Sequence, residues 1–568
     1  MELLRELTRI QLEQGYLSDG TLRELAALRN VPLYRLEGLA SFYPSFRRTP
    51  APPTVIHVCR DISCLMAGGD ACRRKLVEEL SSNDDILIEE VSCLGRCDAA
   101  PAAAINEVPL APDTLANFER VIEWVRAGPV TAGTPGNAKP KCQCDPYAST
   151  ADHYSTVRSL LEPENFKAGE TVGKHPVLGK HSVLGNRPAP GKHPVLGKHC
   201  IERLHESRLC GMGGAGFPTG RKWELVASEA AGPKTIICNA DESEPGTFKD
   251  RFILTHLAHL VVEGMLLAGL TIGAERGIIY LRHEYAPEQR SLELAIDQAR
   301  QHGVLGENVA GSGQRFEIEI FVSPGGYILG EETALLEALE DKRGEPRNKP
   351  PYPGTHGLWG KPTLINNVET FALATSIVHF GSQWWHNQGC GGCSGIKFFS
   401  ISGDVARPGV YEIPMGTPVA ELIELAGGMK QNKSLKAFLP GGASSNFLTA
   451  DHVHTPLDFD AMKKVGSMLG TGAVIVIADD QDLFKLATNL VQFFRNESCG
   501  KCVPCRVGSD QAVQLLNRVQ LGETPPGELE ILSDLGETLE QTSICGLGQV
   551  ALNPVLSMMK HFPNDVPS

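Results

Sequence analysis

The sequence predicts a multidomain α/β protein with helical ends, and three observations carry that prediction. Strand-like runs such as T-V-I-H-V, T-I-I-C-N and A-V-I-V-I-A recur between helical patterns along the chain. Residues 1–50 and the stretch from about 484 onward carry apolar residues at helical spacing instead. Cysteines fall in groups, with Cys499, Cys502, Cys505 and Cys545 together towards the C-terminal end. The chain has 568 residues, 42% apolar and 21% charged. That is ordinary globular material for roughly three to five domains.

Taken in order, residues 1–50 form a helical segment, with Leu22, Leu25, Ala26 and Leu28, then Leu33, Leu36 and Leu39, on apolar faces. Residues 51–130 form a small α/β layer: strand T-V-I-H-V, a helix from Asp70 to Ser81, then strand I-L-I-E-E-V. Residues 131–204 have linker composition, opening with T-A-G-T-P-G-N-A-K-P. G-K-H-P-V-L-G-K-H occurs there twice, at 173–181 and 191–199. Its Gly and Pro density argues against long helices and central strands. His175, His181, His193 and His199 raise a metal tract. No acidic or Cys partner recurs with them, which favours a duplicated basic linker packed over a neighbour. Residues 205–395 form the largest α/β block, residues 396–483 a β-rich one, and residues 484–568 are helical.

Net charge is −14 with a pI near 5.7. Nucleic-acid binding is therefore not the main task, and a dinucleotide site needs a locally placed Lys or Arg. Met-Glu-Leu-Leu-Arg-Glu-Leu at the start is a charged amphipathic pattern, not a secretory signal. No stretch has the roughly 18 uncharged apolar residues of a membrane span. The best candidate, Leu257 to Gly273, contains His259 and Glu263 and reads as a core helix. Sixteen cysteines without a signal peptide point to metal or redox chemistry in a reducing, cytoplasmic setting.

E-S-C-G-K-C-V-P-C-R, followed by S-I-C-G-L-G, gives three thiols at x-x spacing and one distant thiol. That is how a chain wraps a [4Fe–4S] cube. Zinc usually takes two separate C-x-x-C hairpins, and disulfides do not suit a reducing compartment. Cys59-x4-Cys64 and Cys93-x3-Cys97 each follow a strand, so the two pairs can converge. Four thiolates suit [2Fe–2S] or zinc, and the loose spacing favours [2Fe–2S]. Cys390-Gly-Gly-Cys393 is a weaker redox pair, and Cys142 and Cys144 lie in the linker. Cys72, Cys200, Cys210 and Cys238 read as small core residues.

Cys210 to Trp223, C-G-M-G-G-A-G-F-P-T-G-R-K-W, lets backbone N–H groups approach a phosphate or planar ring. As a Rossmann fingerprint it is weak, because it precedes a strand. Asn239 to Arg251, N-A-D-E-S-E-P-G-T-F-K-D-R, follows that strand, where α/β proteins place ligand contacts. G-G-Y-I-L-G-E-E-T-A-L is a turn into a helix whose adjacent carboxylates face different ways. P-T-L-I-N-N-V-E-T sets two Asn at a helix start suited to phosphate.

Together these motifs resemble the flavin subunit of respiratory complex I NADH dehydrogenases and its relatives. F-S-I-S-G-D-V-A-R-P-G-V-Y-E resembles that family's β-grasp domain, and residues 1–130 resemble its separate thioredoxin-like [2Fe–2S] subunit. The resemblance covers roughly 1–125 and 205–560 and implies a Rossmann-like FMN- and NAD-binding domain over residues 205–395. Fusion of the two subunits resembles the diaphorase subunit of cytoplasmic NAD-reducing [NiFe] hydrogenases. It also resembles fused forms in complex I and in NAD-dependent formate dehydrogenases. The resemblance implies FMN against Gly211, Gly213, Gly214 and Lys222, with Asn239, Asp241, Glu242, Tyr327, Gly330 and Glu331 around ring and ribityl chain. It implies Asn366 and Asn367 at the phosphate. NAD would stack on Phe217, lined by Glu244, Glu332, Lys349 and Tyr352. Met212 stands where the family usually has Arg, Leu329 where it has Cys and Tyr352 where it has Phe, which bears on cofactor affinity or potential.

The implied reaction is hydride exchange between NAD(H) and FMN, with single electrons relayed through the Cys499 cube to an iron–sulfur subunit and a hydrogenase or other dehydrogenase module. The [2Fe–2S] site would be a side store or tuning centre. No side-chain acid or base is expected to be catalytic. A scaffold with two structural zinc sites is the rival from another class, distinguished by colour.

Overall fold

The computed structural model describes residues 1–80, 82–110, 121, 125, 140–162, 194–230 and 232–567. Helices Glu2–Gln14, Asp19–Arg29 and Leu33–Phe42 come first. Their apolar faces bury Leu4, Leu7, Leu22, Leu36 and Leu39. They dock on the central domain, where Met1 N pairs with Asp341 at 2.7 Å and the Tyr43 hydroxyl donates to Lys342 O at 2.6 Å.

The next sheet has the order β2-β1-β3-β4, from β1 (Thr54–Cys59), β2 (Ile86–Val91), β3 (Ala103–Ile105) and β4 (Val108–Pro109). β1 and β2 run parallel across the helix Gly69–Leu80, whereas β3 turns back antiparallel to β1. Both cysteine pairs therefore lie beyond the same ends of two adjacent parallel strands.

The central sheet is all parallel, order β7-β6-β5-β8, built from β5 (Thr235–Ala240), β6 (Arg276–Arg282), β7 (Glu317–Ser323) and β8 (Thr363–Asn367). β5 buries five of its six residues, as a sheet covered on both faces requires. The helix Ala258–Ile272 is buried along its whole length, His259 and Glu263 included. Among the described residues no single helix is long and apolar enough to cross a membrane. The pair Lys249–His256 and Ala258–Ile272 passes only jointly and bends by 92°.

The third sheet has the order β10-β9-β13-β11-β12, from β9 (Ile396–Gly403), β10 (Gly409–Pro414), β11 (Leu435–Leu439), β12 (Leu448–Thr449) and β13 (Ala473–Ala478). β9 and β13 are parallel at its centre and the outer pairs antiparallel, a β-grasp arrangement. Helices Leu483–Asn496, Ser509–Gln520, Ile531–Thr542 and Asn553–His561 complete the chain.

Two expectations need correction. Leu28 is not on the buried face of its helix but 74% exposed. The second repeat copy does not exclude a long helix: Pro194–Ser207 is a helix of 14 residues beginning inside it. Proline is compatible with a helix start, where its missing N–H is not needed. Gly197 lets the helix approach the main chain at Thr271, where a Cβ would sit 3.1 Å from the carbonyl oxygen. The first copy, with His175 and His181, and His193 of the second lie outside the described residues. Residues 140–162 pack as a strap. The backbone N–H groups of Gln143 and Cys144 donate to Glu412, and Tyr154 donates to Ala295 O at 2.7 Å.

Candidate flavin and iron–sulfur sites

A cavity of about 360 Å³ opens at the C-terminal end of the central sheet, where open parallel sheets place ligands. Gly213, Gly214, Asn239, Asp241, Glu242, Glu244, Tyr327, Gly330, Glu331 and Asn367 line it. Gly214 has φ +110°, and a Cβ at Gly213 would meet Asn367 Cβ at 3.1 Å. A bare backbone is thus required on that wall. Asn239 donates to Gly330 O at 2.8 Å, tying the β5 end to the turn before the helix Glu332–Leu339.

The wall is rich in buried carboxyls. Burial pushes Asp241 up to about 6 and Glu244 up to about 7. Burial, with Asp250 beside it, pushes Glu242 up to about 8. Glu242 accepts from the N–H groups of Asp250 and Arg251 and from the Tyr285 hydroxyl. Asp241 Oδ1 accepts from Ser243, while its Oδ2 is buried with no hydrogen-bond partner. An unmet acceptor on a ligand-sized cavity suits a flavin N–H or ribityl hydroxyl.

Beneath the wall lies a buried charge network that sequence reasoning missed. Lys249 Nζ contacts Asp250 at 2.6 Å, Glu369 at 3.0 Å and Asn367 Oδ1 at 3.4 Å. Burial lowers its affinity for a proton, but these carboxylates more than offset that. Lys397 of β9 reaches the same Glu369 at 2.7 Å and Met212 O at 3.4 Å. Burial pushes Lys397 down to about 8 against the pull of Glu369. Lys397, from another domain, therefore lies in contact with Met212.

Four other predicted residues gather at the rim. Lys222 Nζ lies 5.9 Å from the Phe217 ring centroid and 3.8 Å from Glu332, while Lys349 contacts Glu331 at 2.9 Å and Glu332 at 3.4 Å. Phe217 is 43% exposed and Tyr352 60% exposed, presenting aromatic faces to solvent. Gly211 sits in the turn behind, its N–H donating to Phe217 O at 2.8 Å. Asn366 is buried with its Oδ1 on the Trp223 indole N–H, so of the two asparagines Asn367 faces the cavity. Thr247 also lines it, and Gly441, Ser444, Met468, Gly470, Thr471, Gly546 and Leu547 close the pocket from the third sheet and the last helices.

Cys59, Cys64, Cys93 and Cys97 come together, 1–4% exposed. Cys93 Sγ lies 3.4 Å from Cys97 Sγ, with Cys59 and Cys64 beside them. Four buried thiols converging from two strand ends fit a two-iron cluster. Backbone N–H groups of Gly95, Ala102 and Gly246 donate to Cys93, Cys64 and Cys97 at 3.3–3.4 Å. Neighbouring thiols and burial push Cys59 and Cys97 up. Thiols pushed up in this way ionise only against metal charge.

Cys499, Cys502 and Cys505 sit on a turn running into the π-helical segment Pro504–Gly508, and Cys545 precedes the short helix Gly546–Val550. Ile544 N donates to Cys502 Sγ at 3.4 Å, and Ser498 Oγ lies 3.2 Å from Cys505 Sγ. N–H groups of Leu547 and Gly548 reach Cys545, which burial nonetheless pushes up to about 12. Such N–H donors and free thiols fit a cubane cluster. Cys390 and Cys393 face each other across a turn, Cys393 N donating to Cys390 O.

Residues 1–126 match the thioredoxin-like [2Fe–2S] ferredoxin family model, 204–375 the Nuo51 FMN-binding domain, 398–445 the SLBB domain and 485–568 the NADH-ubiquinone oxidoreductase-F iron–sulfur binding region. An NADH-quinone oxidoreductase subunit of Rhizobium meliloti is 45% identical over 64% of this chain and 86% of its own length. The NADP-reducing hydrogenase subunit HndC of Solidesulfovibrio fructosivorans is 40% identical over 64% and 74%. A crystal structure of NAD+-reducing [NiFe]-hydrogenase in the H2-reduced state is similar over 100% of this chain and 92% of the other, at 31% identity and TM-score 0.82.

Proposed function

The chain belongs to the family of flavin subunits of NADH-quinone oxidoreductases and NAD(P)-linked hydrogenases, with a [2Fe–2S] domain fused in front, and we propose that it is the diaphorase subunit of a soluble NAD-reducing hydrogenase. It is an NAD-dependent oxidoreductase carrying FMN, a [2Fe–2S] and a [4Fe–4S] cluster, and it relays electrons to partner subunits. The observation that favours the hydrogenase is full-length similarity to the [NiFe]-hydrogenase chain, because the NADH-quinone oxidoreductase relative matches only 64% of this one. A fused complex I or formate dehydrogenase subunit is the second reading. A cytoplasmic location goes with the first.

Bound FMN supplies hydride exchange with the nicotinamide and converts two-electron to one-electron transfer. The chain's own residues bind, orient and exclude water. Asp241 Oδ2 and Glu242 accept from donors on the cofactor, and Gly213 and Gly214 allow close approach. Lys249 and Asn367, which line the cavity, would hold the phosphate by N–H donors. Phe217 offers a stacking face, with Glu244, Glu332, Lys349 and Tyr352 around the second cofactor. Lys222 supplies the local cation that the net charge of −14 demands.

The test is anaerobic purification with partners, metal and flavin analysis, and NADH-driven dye reduction. A brown flavoprotein that reduces dye and co-purifies with nickel supports the proposal. Molybdenum or membrane subunits in place of nickel select the second reading. A colourless zinc protein inert to NADH overturns both.

A further inference from the structure

Glu497 ends the helix Leu483–Asn496 and stands two residues before Cys499. Its carboxylate is divided between two other sites. Oε1 accepts from the hydroxyl of Ser92, the neighbour of Cys93. Oε2 accepts from the backbone N–H of Tyr327 at 2.8 Å, in the cavity wall. The helix that carries it repeats the pattern. Asn489 donates to the carbonyl of Arg60, next to Cys59, at 3.0 Å, and Phe493 packs on the Tyr327 ring with centroids 5.0 Å apart. Arg60 also approaches Ser92 Oγ, at 3.5 Å.

We propose that Glu497 is a positioning residue that locks the two cysteine sites and the flavin cavity into one frame. One oxygen holds the Cys93 loop, the other holds the cavity wall, and the main chain leads directly into the Cys499 loop. Loss of either contact frees one member of the three. Electron transfer depends steeply on separation and surroundings, so a shared anchor fixes both steps at once. The same carboxylate adds one negative charge beside both cysteine loops, which disfavours electron gain at each. The proposal rests on the reading that both thiol sets carry iron–sulfur clusters.

The test is an EPR-monitored redox titration of the purified holoprotein and its Glu497→Gln and Ser92→Ala variants, with iron and FMN content checked first. The parent must give two distinct cluster signals, and their absence overturns the cofactor reading and the proposal with it. Glu497→Gln is expected to shift both cluster midpoints upward. Ser92→Ala is expected to shift only the [2Fe–2S] signal. A loaded Glu497→Gln protein in which neither or only one midpoint moves overturns the proposal. Should that variant lose iron, Ser92→Ala decides: a shift confined to the [2Fe–2S] midpoint supports the anchor, and unchanged midpoints overturn it.

Discussion

The two cysteine sites solve the same ligand problem in opposite surroundings. Cys59, Cys64, Cys93 and Cys97 are sealed, and one of their hydrogen-bond donors, the Gly246 N–H, comes from the flavin domain. Cys499, Cys502 and Cys545 are only half-buried, and Val503 and Val507 between and beside them are 59% and 48% exposed. The first site takes a donor from another domain, whereas the second takes the Ile544, Leu547 and Gly548 N–H donors from its own helical domain and leaves Val503 and Val507 exposed. That difference suits an internal electron store and an exit, respectively.

The largest expected effect separates the two sites directly. Cys64→Ala should abolish the [2Fe–2S] EPR signal and lower the melting temperature of the whole chain, since metal binding at a sealed site is folding energy. Cys545→Ala should abolish the [4Fe–4S] signal but leave NADH-driven dye reduction and most of the melting temperature. Equal melting of both variants breaks the comparison.

Lys397→Met asks whether burial alone explains the sensitivity. It strips Glu369 of one of its two lysines, all three groups being fully buried. Denaturant titration should show a loss of about 3–5 kcal/mol, with neither cluster signal altered. A smaller contrast compares two glycines. Gly246 has φ +92°, and a Cβ there would lie 2.7 Å from Ile475. A Cβ at Gly548 would lie 2.4 Å from Ser543 Oγ. Each change to alanine should cost about 1–3 kcal/mol and shift the EPR signal of its own site only.

The cavity between the sites should respond to pH. Glu244 is pushed up to about 7 by burial, so it is neutral below that pH and anionic above it. Its ionisation repels the nicotinamide cofactor's phosphates. The KM for NADH should therefore rise as pH climbs through about 7, by about tenfold for an interaction on the order of 1.4 kcal/mol. Glu244→Gln should flatten the profile, with Glu242, up to about 8, leaving a residual rise at higher pH. Smallest of all, Val503→Asp should leave stability within about 0.5 kcal/mol, while slowing electron delivery to the partner if this face is the exit.

Both thiol sets were legible because ligand spacing is local: C-x-x-C-x-x-C and two pairs at strand ends need no tertiary information. The same holds for Asn239 to Glu244, which spans the end of the β5 strand and the turn beyond it. Lys249 was not legible, although it lies in the same motif, because its partners Glu369 and Asn367 arrive from β8 and the helix after it. Gly441, Ser444 and Thr471 likewise reach the cavity only through the packing of the third sheet. The density of Gly and Pro in the second repeat is a poor guide to the helix that begins there. Their positions decide the outcome: Pro194 stands at a helix start, and Gly197 at a close helix crossing.

The sealing of the first cysteine site also sets an order of manufacture. Phe248 packs on Cys93 and Cys97, and Gly246 donates to Cys97 from the flavin domain. Iron must reach these thiols before that loop closes over them. Cluster loading is therefore expected to precede docking of that loop, whereas the half-buried Cys499, Cys502 and Cys545 are reachable in the folded chain.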